Sequence, residues 1–248
     1  MKTLIVIPTY NEIENLKPIT DAVLGVTPET VHVLVVDDGS PDGTGKLADQ
    51  LVIEWASKGQ ARLHVHHRTK KEGLGPAYIA GFRWGFKNGY DRLVEMDADF
   101  SHHPRFLPVM LERLNQFDFV IGSRNIEGGG TVNWGILRKI ISRGGSFYAR
   151  TILGAPIKDF TGGFNGWQRK VLEAIDLATL EAGGYSFQIE LKYRAFKKGF
   201  SFTEFPIIFE DRRVGKSKMS SKIVIEALAM VPKLKFKKQS ILTALPKA

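Results

Sequence analysis

Four short runs at the front of the chain, Leu4–Ile7, Val31–Val36, Leu63–His67 and Arg92–Met96, are bounded by turn residues and read as strands. Between them apolar positions recur at helical spacing. Ile13, Leu16, Ile19 and Val23 mark a helix over Asn11–Val23, and Leu47, Leu51 and Trp55 one over Thr44–Ser57. Pro76–Asn88 and Pro104–Leu114 read as further helices, and Asp118–Gly122 as a fifth strand. Such alternation predicts an α/β protein with an open, mostly parallel sheet flanked by helices. Ligands of these sheets bind beyond the carboxyl ends of the strands. The polar clusters PTYNE, DDGSPDGT, DADFS and GSRN all fall there.

Past residue 125 the rhythm changes. IEGGGTVNWG predicts a mobile glycine-rich loop. Ile136–Leu153 reads as a helix despite Gly144 and Gly145, and DFTGGFNGW as a glycine-punctuated loop. A helix over Phe187–Lys198, a strand over Phe202–Phe209 and an amphipathic helix over Ser217–Met230 follow. No repeat or linker interrupts the pattern, so one domain is expected over 1–232, with a basic tail over 233–248.

Composition changes this picture in two ways. Cysteine is absent, which excludes disulfides, thiolate metal sites and a thiol nucleophile and fits a reducing compartment. Net charge is +9, which suits nucleic acid, an anionic membrane surface or a phosphorylated small molecule, or simply solubility. Arg212 to Lys238 carries nine Lys or Arg against one acid, Glu226. No apolar run is long enough to span a bilayer, and the opening apolar stretch stops at Pro8 without a cleavage site.

Three constellations could carry chemistry. Asp97 and Asp99, just past a strand, make either an acidic mouth for Mg²⁺ or Mn²⁺ shared with substrate phosphates, or two solvated loop aspartates. His102 and His103 lack a zinc spacing, and a role at the start of the helix at Pro104 suits them better. Asp37 and Asp38 in VVDDGSPDGT are either acceptors for ribose or base groups, or a turn with a helix cap. No GxGxxG or GxxxxGK[ST] accompanies them. KKEGLGPA offers a weak anion contact. The third set is basic: Arg124 after a strand, Arg138, Lys139 and Arg143 on one helix, and Arg212, Arg213, Lys216 and Lys218 around Gly215. Each alone suits solvent; their common target would be phosphate.

The motifs PTYNE, VVDDGSPDGT, KKEGLGPA, MDADFSHHP, IGSRN, RKIISR, DFTGGF and EDRRVGKSKM occur in the order and spacing of the dolichyl-phosphate mannosyltransferases. The chain resembles that group of family 2 glycosyltransferases from residue 3 to about 230, in its compact type without a transmembrane pair. The resemblance implies a GT-A fold with its nucleotide-sugar site at the carboxyl ends of the strands. Pro8, Tyr10, Glu12, Val36 and Asp38 would line the nucleotide pocket. Asp97 and Ala98 would lie along the sugar, and Asp99 would hold the metal, with Asp97 and Ser101 as further candidate ligands. Ser101 stands where some relatives carry Gln. Arg124, Arg138 and Ser142 would grip the acceptor phosphate, with Arg124 also on the donor, and Arg212 and Lys218 would close over the diphosphate. Asp99, Arg124 and Arg138 are thus the expected catalytic residues.

The implied reaction moves mannose from GDP-mannose to a polyprenyl or dolichyl phosphate with inversion. UDP-glucose as donor, or a saccharide acceptor, is the alternative within the same fold. Ile136–Leu153 and 217–231, with the lysines from Lys233 to Lys238, are expected against the cytoplasmic face of a membrane. Ile140, Ile141 and Phe147 on the first, and Ile223, Val224 and Leu228 on the second, would supply the apolar contact. A nucleic-acid partner is not expected, because the basic stretches lack interleaved aromatics and the strand-end aspartates would repel a phosphate backbone.

Overall fold

The structure is a computed structural model and describes residues 1–180, 184–211 and 221–236. In chain order its strands are β1 (Thr3–Thr9), β2 (Val31–Asp37), β3 (Leu63–His67), β4 (Arg92–Glu95) and β5 (Phe119–Ser123), then β6 (Gly130–Val132), β7 (Asn165–Gln168), β8 (Phe202–Pro206) and β9 (Ile208–Glu210). The helices α1 (Ile13–Val26), α2 (Thr44–Ser57), α3 (Leu74–Lys87) and α4 (Leu107–Arg113) follow the first four strands in turn. The remaining helices are α5 (Ile136–Leu153), α6 (Arg169–Ala174), α7 (Gly184–Lys197) and α8 (Ser221–Phe236).

Seven strands make the main sheet in the order β3-β2-β1-β4-β7-β5-β8. All pair in parallel except β7, which runs antiparallel to both β4 and β5. Strands covered on both faces bury both sets of alternating side chains. Leu4, Val6, Leu34 and Val36 point into a core shared with α3 and α7, while Ile5, Ile7, Val33 and Val35 meet α1 and α2.

Four departures from expectation have local causes. The stretch expected to be mobile forms β6, which pairs with β9, and Trp134 behind it is buried. Gly129 permits this turn, since a Cβ there would sit 2.6 Å from the Ser123 carbonyl oxygen. The single strand expected over Phe202–Phe209 is two, broken after Pro206, which lacks the N–H to continue a ladder. β7 lies in a stretch expected to be loop, because NGWQ is short and half polar. Finally, α8 runs on through Pro232, so the boundary expected at 232 falls inside a helix. Leu234 is in the core, and the Lys235 ammonium donates to the Leu153 carbonyl at 3.2 Å.

Candidate active site

A cavity of about 410 Å³ opens at the carboxyl ends of β1, β2, β4 and β5. Its wall includes Pro8, Tyr10 and Glu12 after β1, Asp38 after β2, and Asp97, Ala98 and Asp99 after β4. Arg124 follows β5, and α5 contributes Arg138 and Ser142. The sheet order keeps β2, β1 and β4 on one side and β5 on the other, with β7 between. The carboxylates therefore gather at one end of the cavity and the arginines at the other.

Asp99 is held by its own turn. Phe100 adopts a left-handed conformation (φ 62°), which returns Ser101 to Asp99. The Ser101 amide and hydroxyl both donate to Asp99 Oδ1, at 3.1 and 2.6 Å. Ser101 is buried and outside the cavity wall, and its hydroxyl orients Asp99. His102 departs from expectation. Only His103 serves the helix start, accepting from the Arg105 amide at 3.1 Å. His102 is buried against the rings of Phe164 and Phe209, and its Nδ1 accepts from the Asp97 amide at 3.1 Å. That geometry places the ring proton on Nε2. Burial pushes the His102 pKa down, against the pull of Asp97 and Asp99. The buried Tyr78 hydroxyl reaches Asp97 Oδ1 at 3.4 Å.

The two adjacent aspartates after β2 divide their work. Asp37 fastens the turn, accepting from the hydroxyls of Thr9 (3.1 Å) and Ser40 (2.6 Å) and from the Ser40 amide. Asp38 lines the cavity and accepts from Arg68 Nη1 at 2.6 Å. Burial raises the Asp38 pKa, and Arg68 pulls it part of the way back. Lys71 sits 4.0 Å over the Tyr10 ring. Val36 does not reach the cavity: its side chain is fully buried in the core, close to Gly81 of α3.

At the opposite end Arg124 is clamped by Asp159. Its amide, Nε and Nη2 donate to the Asp159 carboxylate at 2.9, 2.8 and 2.7 Å, and Nη2 also reaches Thr161. Asp159 is fully buried, which pushes its pKa up, but the Arg124 guanidinium more than offsets this and holds it far below the usual carboxylate range. Behind it the buried Lys192 ammonium donates to the carbonyls of Asp159, Phe160 and Gly162. Glu95, at the end of β4, accepts from Asn165, Trp167 and Gln188. Burial drives the Glu95 carboxyl up and the Lys192 ammonium down. Arg138 stacks 3.8 Å over the Trp134 ring and donates to Asp211 at 2.8 Å. Ile141, Tyr148, Leu228 and Val231 give this end an apolar wall.

Residues 4–176 match the family described as glycosyl transferase family 2. The chain belongs to that family. It is 50% identical over 231 residues to the undecaprenyl-phosphate mannosyltransferase of Micrococcus luteus, covering 93% of each chain. It is 49% identical to the polyprenol monophosphomannose synthase of Mycolicibacterium smegmatis, covering 93% of this chain and 85% of that one. The glucosyl-3-phosphoglycerate synthase of Mycobacterium tuberculosis, solved with uridine diphosphate, superposes with a TM-score of 0.65 at 18% identity, covering 94% of this chain and 80% of that one. At that identity the likeness shows the fold, which is GT-A as expected.

In this family 2 chain, Asp97 and Asp99 are the hard oxygen donors that the end of β4 brings to the cavity wall, beside Glu12 and Asp38 after β1 and β2. Among the described residues no three His, Cys, Asp or Glu side chains come together as a complete metal cage. Such a carboxylate pair suits Mg²⁺ or Mn²⁺ completed by phosphate oxygens and water. Arg212 and Lys218 lie outside the described residues. Asp159, Trp134, Arg68 and Asp211 were not singled out from the sequence. DFTGGF carried the one usable signal, an aspartate opening a glycine turn, but its partner is 35 positions away.

Proposed function

We propose that this chain is an inverting transferase moving mannose from GDP-mannose to a polyprenyl phosphate at a membrane surface. The observation that carries the reading is a single cavity with carboxylates at one end and arginines beside an apolar wall at the other. The first end suits a nucleotide sugar with a divalent cation, the second a lipid phosphate and the start of its chain. Two relatives of about half-identical sequence, named for mannose and for undecaprenyl phosphate or polyprenol, support the same donor sugar and acceptor class.

The acceptor phosphate has a second pKa near 6 and is largely ionised at neutral pH, so its oxygen needs no strong general base. The obstacle is electrostatic, since a dianion must approach a diphosphate. Arg124, fixed in direction by Asp159, and Arg138, fixed by Trp134 and Asp211, hold the attacking phosphate in line, with Ser142 beside them. Asp38, Glu12 and Tyr10 position the nucleotide. Asp97 and Asp99 would hold the divalent cation, which when bound supplies positive charge to the leaving diphosphate. Arg212 and Lys218 would add charge on the same leaving group. One displacement inverts the anomeric carbon.

The described chain acts as one catalytic unit, with α5 and α8 as its acceptor-facing helices. Among the described residues no helix is long and apolar enough to cross a membrane. Ile136, Leu137, Ile140 and Phe147 are exposed on α5, which suits peripheral contact with the cytoplasmic leaflet. Ile141, expected in that contact, lines the cavity instead. The direct test is transfer of radiolabelled mannose from GDP-mannose to a short polyprenyl phosphate, with Mg²⁺ or Mn²⁺ and after chelation. Transfer that requires the metal is expected. Transfer from UDP-glucose alone would replace the sugar, and transfer from neither donor would overturn the reading.

A further inference from the structure

Helix α5 separates two cavities. Arg138, Ile141, Ser142, Gly145 and Tyr148 face the active site, whereas Arg143, Phe147 and Arg150 line a second cavity of about 320 Å³. At 3.6 residues per turn these two sets lie on opposite faces of the helix. Lys158 completes the cationic part of the second wall, and beside it the neutral Asn125 donates its side-chain amide to the Lys158 carbonyl at 3.1 Å. Arg124 backs both cavities, but its charge is matched by Asp159. No acidic side chain among the described residues lines the second cavity. Among the described residues Arg143, Arg150 and Lys158 make no ion pair. Three cations without an ion pair among the described residues thus line a space large enough for a phosphate group, with the Arg150 guanidinium 5.5 Å from the Phe147 ring centroid.

The same helix face continues as an apolar stripe. Ile136, Ile140, Arg143, Phe147 and Arg150 are spaced alternately by four and three, and so share one side of the helix. Ile136 is 78%, Ile140 62% and Phe147 61% exposed, values at odds with a face meant for water. An apolar stripe alone would equally suit a protein partner. These cations decide between the two, because exposed apolar side chains interleaved with basic ones are the pattern of a helix lying in a lipid interface.

We propose that Arg143, Arg150 and Lys158 bind the headgroup phosphate of an anionic phospholipid, with Ile136, Ile140 and Phe147 set into the surrounding interface. This rests on the membrane-surface reading above and names the site and lipid class responsible. The bound lipid would hold α5 flat on the leaflet that carries the acceptor, with the active site on the other side of the same helix.

The test is sedimentation of the full chain with phosphatidylglycerol or phosphatidylcholine vesicles at low salt. The wild type is compared with the triple variant Arg143→Gln, Arg150→Gln, Lys158→Gln and with Lys46→Gln, Arg83→Gln, Lys87→Gln. The second triple removes the same charge from exposed positions on α2 and α3. The wild type should bind phosphatidylglycerol and not phosphatidylcholine. The first triple should lose about 100-fold in affinity, near fivefold per cation, and the second much less. Transfer to a short, water-soluble polyprenyl phosphate should persist in the first triple, which shows that it folds. Equal loss in both triples would reduce the effect to net charge and overturn the site. Wild-type-like binding by the first triple would overturn the site and leave the membrane reading standing, while no vesicle binding by the wild type would overturn both. Inorganic phosphate that stabilises the wild type but not the first triple, without vesicle binding, would reassign the cavity to free phosphate.

Discussion

The two ends of the active-site cavity are built by different means. At the donor end Asp99 is set by Ser101, two residues on, and Asp37 by Ser40, three residues on. At the acceptor end Arg124 is set by Asp159 and Arg138 by Asp211, 35 and 73 positions away. The donor end is thus built mainly from short turns at strand ends, joined by the longer contacts of Asp37 with Thr9 and of Asp38 with Arg68. The acceptor end exists only once the whole chain has folded, and its cations are aimed by the buried Asp159 and the partly exposed Asp211. Damage to the first should therefore appear in catalysis, and damage to the second in stability as well.

The largest expected effect tests the acceptor half. Asp159→Ala leaves Arg124 buried without its carboxylate and should cost about 3–5 kcal/mol in a denaturant titration. A loss below about 1 kcal/mol would break the contrast. The wild type should also show a pH signature. The Asp159 carboxyl lies below its ordinary 3.8 in the fold, so between the two values the unfolded chain binds more protons than the folded one. Its contribution is complete above that ordinary value and is lost as acid takes the pH down through the folded pKa. The stability curve of Asp159→Ala should be flatter there.

Next in size is Asp99→Asn, which keeps an acceptor for Ser101 and removes the charge. Transfer should fall about 100- to 1000-fold, with stability changed by less than about 1 kcal/mol. Trp134→Leu should remove the surface on which Arg138 stacks. A cation–π contact of roughly 2 kcal/mol corresponds to an approximately 30-fold rise in acceptor KM. The smallest effect is expected of Ser101→Ala. Loss of its hydroxyl should raise the Mn²⁺ concentration for half-maximal transfer about tenfold.

The same contrast explains what could be read in advance. α2, β3 and α5 have the boundaries expected of them, because each rests on its own periodicity. Pro8, Tyr10, Asp38, Asp97 and Asp99 reach the cavity because strand ends in a parallel sheet converge there. β7 was not legible: four residues, half of them polar, gain their strand character from lying between β4 and β5 and from bonding Glu95. Trp134 was not legible either, since its loop becomes ordered only through the pairing of β6 with β9. Asp159 could be seen as a motif residue, but its service to Arg124 depends on a contact that spacing does not reveal.

The central claim is that one cavity keeps donor and acceptor recognition at separate ends. Its most direct test is to measure both Michaelis constants in Asp38→Asn and Arg138→Gln. The account predicts that Arg138→Gln raises the polyprenyl phosphate KM at least tenfold and leaves that for GDP-mannose within about twofold, and that Asp38→Asn does the reverse. Equal shifts of both constants in either variant, or a donor KM raised mainly by Arg138→Gln, would contradict it.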